Sequence, residues 1–180
     1  MTKKEPLSLH IKKLFASDLE KEARELGAVL KACVEDGAGI GFVLPITQRA
    51  AADFWLEQKP GLETGSAHLV IVRSGARIAG TVMLMLAGKQ NSQHRAEVAK
   101  LMVHPDFRRR GIARTLLAEA ERLALELHRP LLVLDTVTGD TAEAMYEKLG
   151  YTRAGVIPKY AVSAHGGWDA TTLFYKQLPG

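Results

Sequence analysis

MVHPDFRRRGIARTLL (102–117) sets three consecutive arginines ahead of a glycine and the start of an apolar, helix-periodic run. From Ile112 the apolar residues recur at Leu116, Ala120, Leu123 and Leu127, which predicts a long amphipathic helix that Pro130 stops. A helix start leaves N–H groups unpaired along its axis and carries roughly half a positive charge, so it attracts phosphate oxygens. Gly111 removes the Cβ that would keep an anion away from this backbone, and Arg108, Arg109, Arg110 and Arg114 add charge-assisted donors. Strand, arginine loop, glycine and helix follow in the order a diphosphate site requires.

Outward from this stretch the patterns alternate between periods of two and of 3.6. Upstream, RAEVAKLMV (95–103) reads as a strand with Glu97, Ala99, Leu101 and Val103 on one face and Val98, Lys100 and Met102 on the other. HLVIVR and RIAGTVMLML, separated by SGA, predict a hairpin before it, and LSLHIKKL (7–14) a first strand. Between these lie two helices. One is expected to open on a capping box of Ser17 and Glu20 and to carry the stripe Leu19, Ala23, Leu26, Leu30 and Cys33; the other runs from Thr47, with Ile46 and Ala51 as a staple, to about Leu56. KPGLETG is expected to break the pattern, and DGAGIGF to be a flexible loop. Downstream, LLVLDT is a buried strand, a short helix opens at Asp140 or Thr141 and carries Ala142, Met145, Tyr146 and Leu149, and YTRAGVI and ATTLFYKQL are two late strands. The order β α α β β β α β α β β predicts an α/β fold with helices on both faces of a mixed sheet.

Composition narrows the function. Hydrophobic content of 47% with 24% charged residues in 180 positions suits one globular domain with a sizeable core. No apolar run reaches membrane-span length and MTKKEPLSLH lacks the apolar centre of a secretory signal, so a cytoplasmic location is expected. The lone Cys33 forms no internal disulfide, and His10, His68, His94, His104, His128 and His165 have no ligand-type spacing, so no metal is expected. The net charge of +4 permits an anionic partner, but no wide basic face or interleaved aromatics favour nucleic acid. Gly-Lys-Ser/Thr is absent, and GAGIG follows a helix instead of a strand, which excludes the usual P-loop and argues against a dinucleotide fingerprint.

With these residues on the page, the chain resembles the GNAT superfamily of N-acetyltransferases. Arg108-x-x-Gly111-x-Ala113 matches that family's acyl-CoA motif, Q/R-x-x-G-x-G/A, and AEAMYEKLGYTRAG resembles its later segment with a tyrosine on a short helix. RAEVAKLMVHP, LDT and the Gly-rich, Phe-containing segment after the first helix are most similar to the tabtoxin-resistance type of acetyltransferase. The resemblance implies one acetyltransferase domain over residues 1–180, with a mostly antiparallel sheet of about seven strands flanked by about four helices. It also implies acetyl-CoA as cosubstrate and a small-molecule primary amine, amino-acid-like or a β-lactam toxin, as acceptor. A peptide or protein N-acetyltransferase and a non-catalytic acyl-CoA sensor are the alternatives, and a homodimer through the late strands is compatible with such folds.

What the resemblance implies can be assigned by residue. Arg108, Arg109, Arg110, Gly111, Ile112, Ala113 and Arg114 would hold the diphosphate, Leu101, Met102 and Val103 the pantetheine arm, and Gly139, Ala142 and Tyr146 the far side of the cofactor. Gly139 stands where many members have asparagine, and Arg109 where glycine is frequent. Tyr146 would protonate the departing thiolate. From the residues themselves, Glu97 and Asp135 interrupt apolar strands and are candidates for the base, their burial raising at least one pKa; the alternatives are pairing of Glu97 with Arg95 or Lys100 and capping of a turn by Asp135. Phe42, Trp55, Tyr160 and Trp168 are the expected acceptor-side aromatics, with core packing as the alternative.

Overall fold

A computed structural model describes residues 9–179 of the chain. The proposed start of the first strand at Leu7 lies outside them; the strand itself is β1 (Leu9–Leu14). The chain continues through α1 (Leu19–Glu35), α2 (Gln48–Leu56), a short α3 (Lys59–Thr64), β2 (Ala67–Ser74), β3 (Arg77–Leu86), β4 (Arg95–Val103), α4 (Ile112–Glu126), β5 (Leu131–Val137), α5 (Thr141–Lys148), β6 (Thr152–Val162) and β7 (Trp168–Gln177). The seven strands form one sheet in the order β1-β2-β3-β4-β5-β7-β6, antiparallel except between β4 and β5.

Each face of the sheet buries one apolar cluster. Leu19, Leu26, Leu30 and Cys33 of α1 and Ala51 and Trp55 of α2 pack with Leu69, Ile71, Met83 and Met102 on one face; Ile112, Leu116, Ala120 and Leu123 of α4 and Tyr146 of α5 pack with Val70, Val82, Val98 and Leu134 on the other. The stripes that the 3.6-residue spacing singles out are thus the buried ones. Thr47 caps α2 by accepting from the Ala50 amide at 3.1 Å, and Asp140 caps α5 by accepting from the Ala142 amide at 3.1 Å.

Three local expectations change. Ser17 lies inside a 3-10 turn, and Asp18 makes the capping contact instead, its carboxylate accepting from the Phe15 amide at 2.9 Å. KPGLETG does not stay open: Pro60 falls in a first helical turn, where its missing N–H costs no intrahelical bond, and α3 forms. Within β4, Lys100 has φ +50 and the pairing with β3 shifts between Thr81 and Met83. This bulge reverses the alternation, so Ala99 and Met102 face the α1 side while Val98, Leu101 and Val103 face α4.

The β4–β5 pair positions the site. Parallel pairing is confined to Arg95–Leu131, Ala96–Leu132 and Glu97–Val133, after which the strands diverge, leaving the β5-facing edge of β4 unpaired up to Val103. Parallel strands offer slanted, slightly weaker pairing, which makes this the place where a twisted sheet opens at least cost.

Candidate active site at the split between two strands

Two adjoining clefts follow the divergence of β4 and β5. The first, of about 630 Å³, lies between the start of α4 and α5. The second, of about 360 Å³, lies between β4, β5 and the late strands. They meet at Ala38, Ile40, Leu101, Asp140, Ala142 and Tyr146, which line both.

The first cleft is walled by Leu101, Met102, Val103, Arg108, Arg109, Gly111, Ile112, Ala113, Arg114, Ala142 and Tyr146. Thr115 makes the first amide bond of α4, to the Gly111 carbonyl at 3.0 Å, so helix geometry leaves the amides of Ile112, Ala113 and Arg114 without intrahelical partners. Gly111 has φ +78, and a Cβ built there would meet nothing within 4 Å, so the helix start opens onto free space. Arg109 adopts φ +61, the left-handed conformation that glycine takes most easily.

Two residues of the expected cofactor set are not on this wall. Arg110 carries its guanidinium 5.7 Å from the centroid of the Phe107 ring, and Gly139 is a left-handed turn residue ahead of the Asp140 cap. Arg108 is on the wall, but its guanidinium is engaged by Asp36 at the end of α1, and its Nε donates to the Val103 carbonyl at 3.3 Å. This residue ties α1 to the loop instead of offering a free cation. Beside it, burial pushes the Cys33 thiol up to about 11, which leaves it protonated and unreactive.

Glu97 and Asp135 come together on the wall of the second cleft, with Phe42, Tyr160 and Tyr146. Both acids are exposed to the cleft, contrary to the burial expected of them, because the strands carrying them splay apart there. The Asp135 carboxylate accepts from the Thr171 hydroxyl at 2.8 Å, and no described residue forms an ion pair with Glu97. Trp55 is 0% exposed and packs edge-on to Phe54 in the core, and Trp168 is exposed at the start of β7; neither lines the cleft. For Trp55 the reason is helical: it stands four residues after buried Ala51, on the same stripe of α2.

Tyr146 sits where the clefts meet. Its ring packs 5.6 Å from Tyr151 and 5.7 Å from Phe174, centroid to centroid. Burial raises the pKa of its hydroxyl above the ordinary phenol value, and the charges of Asp140 and Asp135 add to the shift.

Sequence reasoning missed two contributors. Residues 36–42, of which only Phe42 was expected there, line the two clefts, and a Cβ on Gly39 would lie 2.2 Å from Cγ2 of Val137, so this glycine permits close packing over the end of β5. Lys100 is the second: its Nζ donates to the Ile40 carbonyl at 2.9 Å, and its side chain lines the second cleft. Among the described residues no cluster of His, Cys, Asp or Glu has the makings of a metal site, and no helix is long and apolar enough to cross a membrane.

The Acetyltransferase (GNAT) family model matches residues 44–151, and the chain belongs to that family. Solved structures share the whole architecture. A ribosomal-protein-alanine N-acetyltransferase from Brucella melitensis is 19% identical, with 94% of this chain and 99% of that one covered and a TM-score of 0.75. An N-acetyltransferase from Staphylococcus aureus Mu50 is 14% identical over 96% and 99%, with a TM-score of 0.77. A Salmonella typhimurium structure with its cofactor acetyl-CoA is 16% identical over 96% and 95%, with a TM-score of 0.76.

Proposed function

We propose that this protein is an acetyl-CoA-dependent N-acetyltransferase that acts by direct attack of the primary amine of a small molecule. The observation that carries the reading is the meeting of the two clefts at Tyr146, beside the unpaired edge of β4. The donors present suit coenzyme A: partner-free amides at the start of α4, room at Gly111, the guanidinium groups of Arg109 and Arg114, and a backbone edge at Leu101, Met102 and Val103. When bound, acetyl-CoA supplies an activated acyl carbon with a thiolate as leaving group.

The protein's own groups supply the rest. An alkylamine of pKa about 10.4 is neutral about once in a thousand molecules near pH 7.4, a penalty of about 4 kcal/mol. Glu97 or Asp135 takes one proton from the ammonium, directly or through water, and the neutral nitrogen then bonds to the acyl carbon; as the carbon–sulfur bond breaks, the nitrogen gives up its second proton, which replaces the one that Tyr146 gives to the sulfur. Tyr146, kept neutral by its raised pKa, donates its proton to the departing sulfur. Residues 38–42 and the late-strand residues Tyr160 and Thr171 line an acceptor space of about 360 Å³, which favours a small acceptor over a peptide. The resemblance to the tabtoxin-resistance type points to an amino-acid-like amine.

The test is acetyl-CoA turnover against an amine panel, followed with a thiol reagent and paired with calorimetric titration of acetyl-CoA. Turnover with at least one small amine is expected. No measurable affinity for a CoA thioester refutes the reading, and tight binding without turnover replaces it with a sensor.

A further inference from the structure

The mechanism above leaves Lys100 without a role, although it is a basic side chain on the acceptor wall beside both acids. Three observations set it apart. It occupies the bulge of β4 at φ +50, a left-handed conformation that L-residues seldom adopt and that is retained where the surroundings hold it. Its Nζ lies 5.8 Å from the Phe42 ring centroid and 5.4 Å from that of Phe54, and donates to the Ile40 carbonyl. An ammonium has three N–H donors, so two are left over.

The charges around it complete the pattern. Burial disfavours the charged form of Lys100 and lowers its pKa, while Asp135 and Glu97 sustain the charge from across the cleft. Neither acid closes to an ion pair with Lys100, so a partly desolvated cation and two carboxylates line one small space as separate charges. A plain alkylamine answers the two acids and leaves the cation unmatched. A zwitterion answers both, with its ammonium toward Glu97 and Asp135 and its carboxylate on the spare donors of Lys100.

We propose that Lys100 is a specificity-determining residue that binds the carboxylate of a free amino acid acceptor. The inference rests on the transferase reading above. Its alternative is a purely structural latch, in which Lys100 only holds Ile40 in place.

The experiment measures kcat/KM for free amino acids and for the amines that remain after their decarboxylation, with wild type, Lys100→Met and Lys100→Arg. Circular dichroism and acetyl-CoA titration verify that the variants fold and bind. Wild type is expected to prefer the carboxylated member of a pair by tenfold or more, Lys100→Met to lower that ratio at least tenfold, and Lys100→Arg to restore part of it. A latch would lower both classes together and leave the ratio intact, which overturns the proposal, as does a wild type indifferent to the carboxylate. Turnover with neither class overturns the transferase reading and this inference with it, whereas turnover without the ratio change overturns this inference alone.

Discussion

Removal of a single oxygen, in Tyr146→Phe, separates chemistry from binding and folding. The Tyr146 ring is 6% exposed and packs against Tyr151 and Phe174, contacts that phenylalanine keeps. No described residue hydrogen-bonds the hydroxyl, so its loss breaks no internal bond, and stability should move by no more than about 0.5 kcal/mol. The acetyl-CoA Kd should stay within about twofold, because only the O–H is lost and the ring that lines the first cleft is kept. Loss of one preorganised donor to a developing negative charge typically costs about 10²–10³ in kcat, or about 2.7–4 kcal/mol, and that is the expected fall. The pH dependence follows from the direction of the shift. The protonated phenol is the donor, burial raises its pKa, and the donor form therefore persists to higher pH. Wild-type kcat should show no descending alkaline limb from this residue below about pH 10. The assay is thiol release at saturating acetyl-CoA and acceptor, with single-turnover mixing to establish that chemistry is rate-limiting. A Tyr146→Phe variant with wild-type kcat under that condition, or an alkaline limb below about pH 10 that the variant abolishes, refutes the assigned role.

The remaining predictions concern the cradle and the core. Gly111→Glu places a side chain at φ +78 and a negative charge at the start of α4, and should raise the acetyl-CoA Kd at least tenfold by calorimetry. Arg109→Gly relieves about 1 kcal/mol of left-handed strain but gains unfolded-chain entropy of about 0.4–1 kcal/mol, so the denaturation midpoint should barely change while loss of the cation weakens acetyl-CoA binding about threefold to tenfold. Trp55→Phe forfeits roughly 1–2 kcal/mol of packing but removes an indole N–H that is buried without a partner, worth about 1–3 kcal/mol; stability measured in urea should stay within about 1 kcal/mol, whereas Trp55→Ala should lose about 3–5 kcal/mol. The acceptor KM should be the same in wild type and Trp55→Phe, because that ring lies in the core and not on the cleft wall.

The parts of this fold that were legible in sequence are those written in local periodicity. The α4 stripe, the Thr47 and Asp140 caps and the hairpin at Gly75 each depend on residues within one or two turns of each other, so spacing alone reveals them. The bulge at Lys100 carries no such mark, because an inserted residue leaves composition untouched and alters only which face each neighbour joins. The glycine-rich segment read as a flexible loop for a related reason. Its Gly39 serves a tight approach to Val137, almost a hundred residues away in sequence. Similarly, Arg108 advertises an anion site by its neighbours, yet its partner Asp36 lies 72 residues earlier and no local pattern pairs them. Glu97 and Asp135 stand out in sequence as acids that interrupt apolar strands, while the adjacency of those strands and the openness of the acids to the cleft depend on how β4 and β5 pair and then separate, a tertiary property.

The three registered pairs between β4 and β5 act like the closed end of a zipper. Beyond them an interior strand keeps an edge of its own in the middle of the sheet. Any guest that lays amide groups along that edge completes the fabric without forcing it apart. Occupancy should therefore knit the two halves of the sheet together, and resistance of the backbone to hydrogen exchange should rise first at Leu101, Met102 and Val103, before any change at the outer strands.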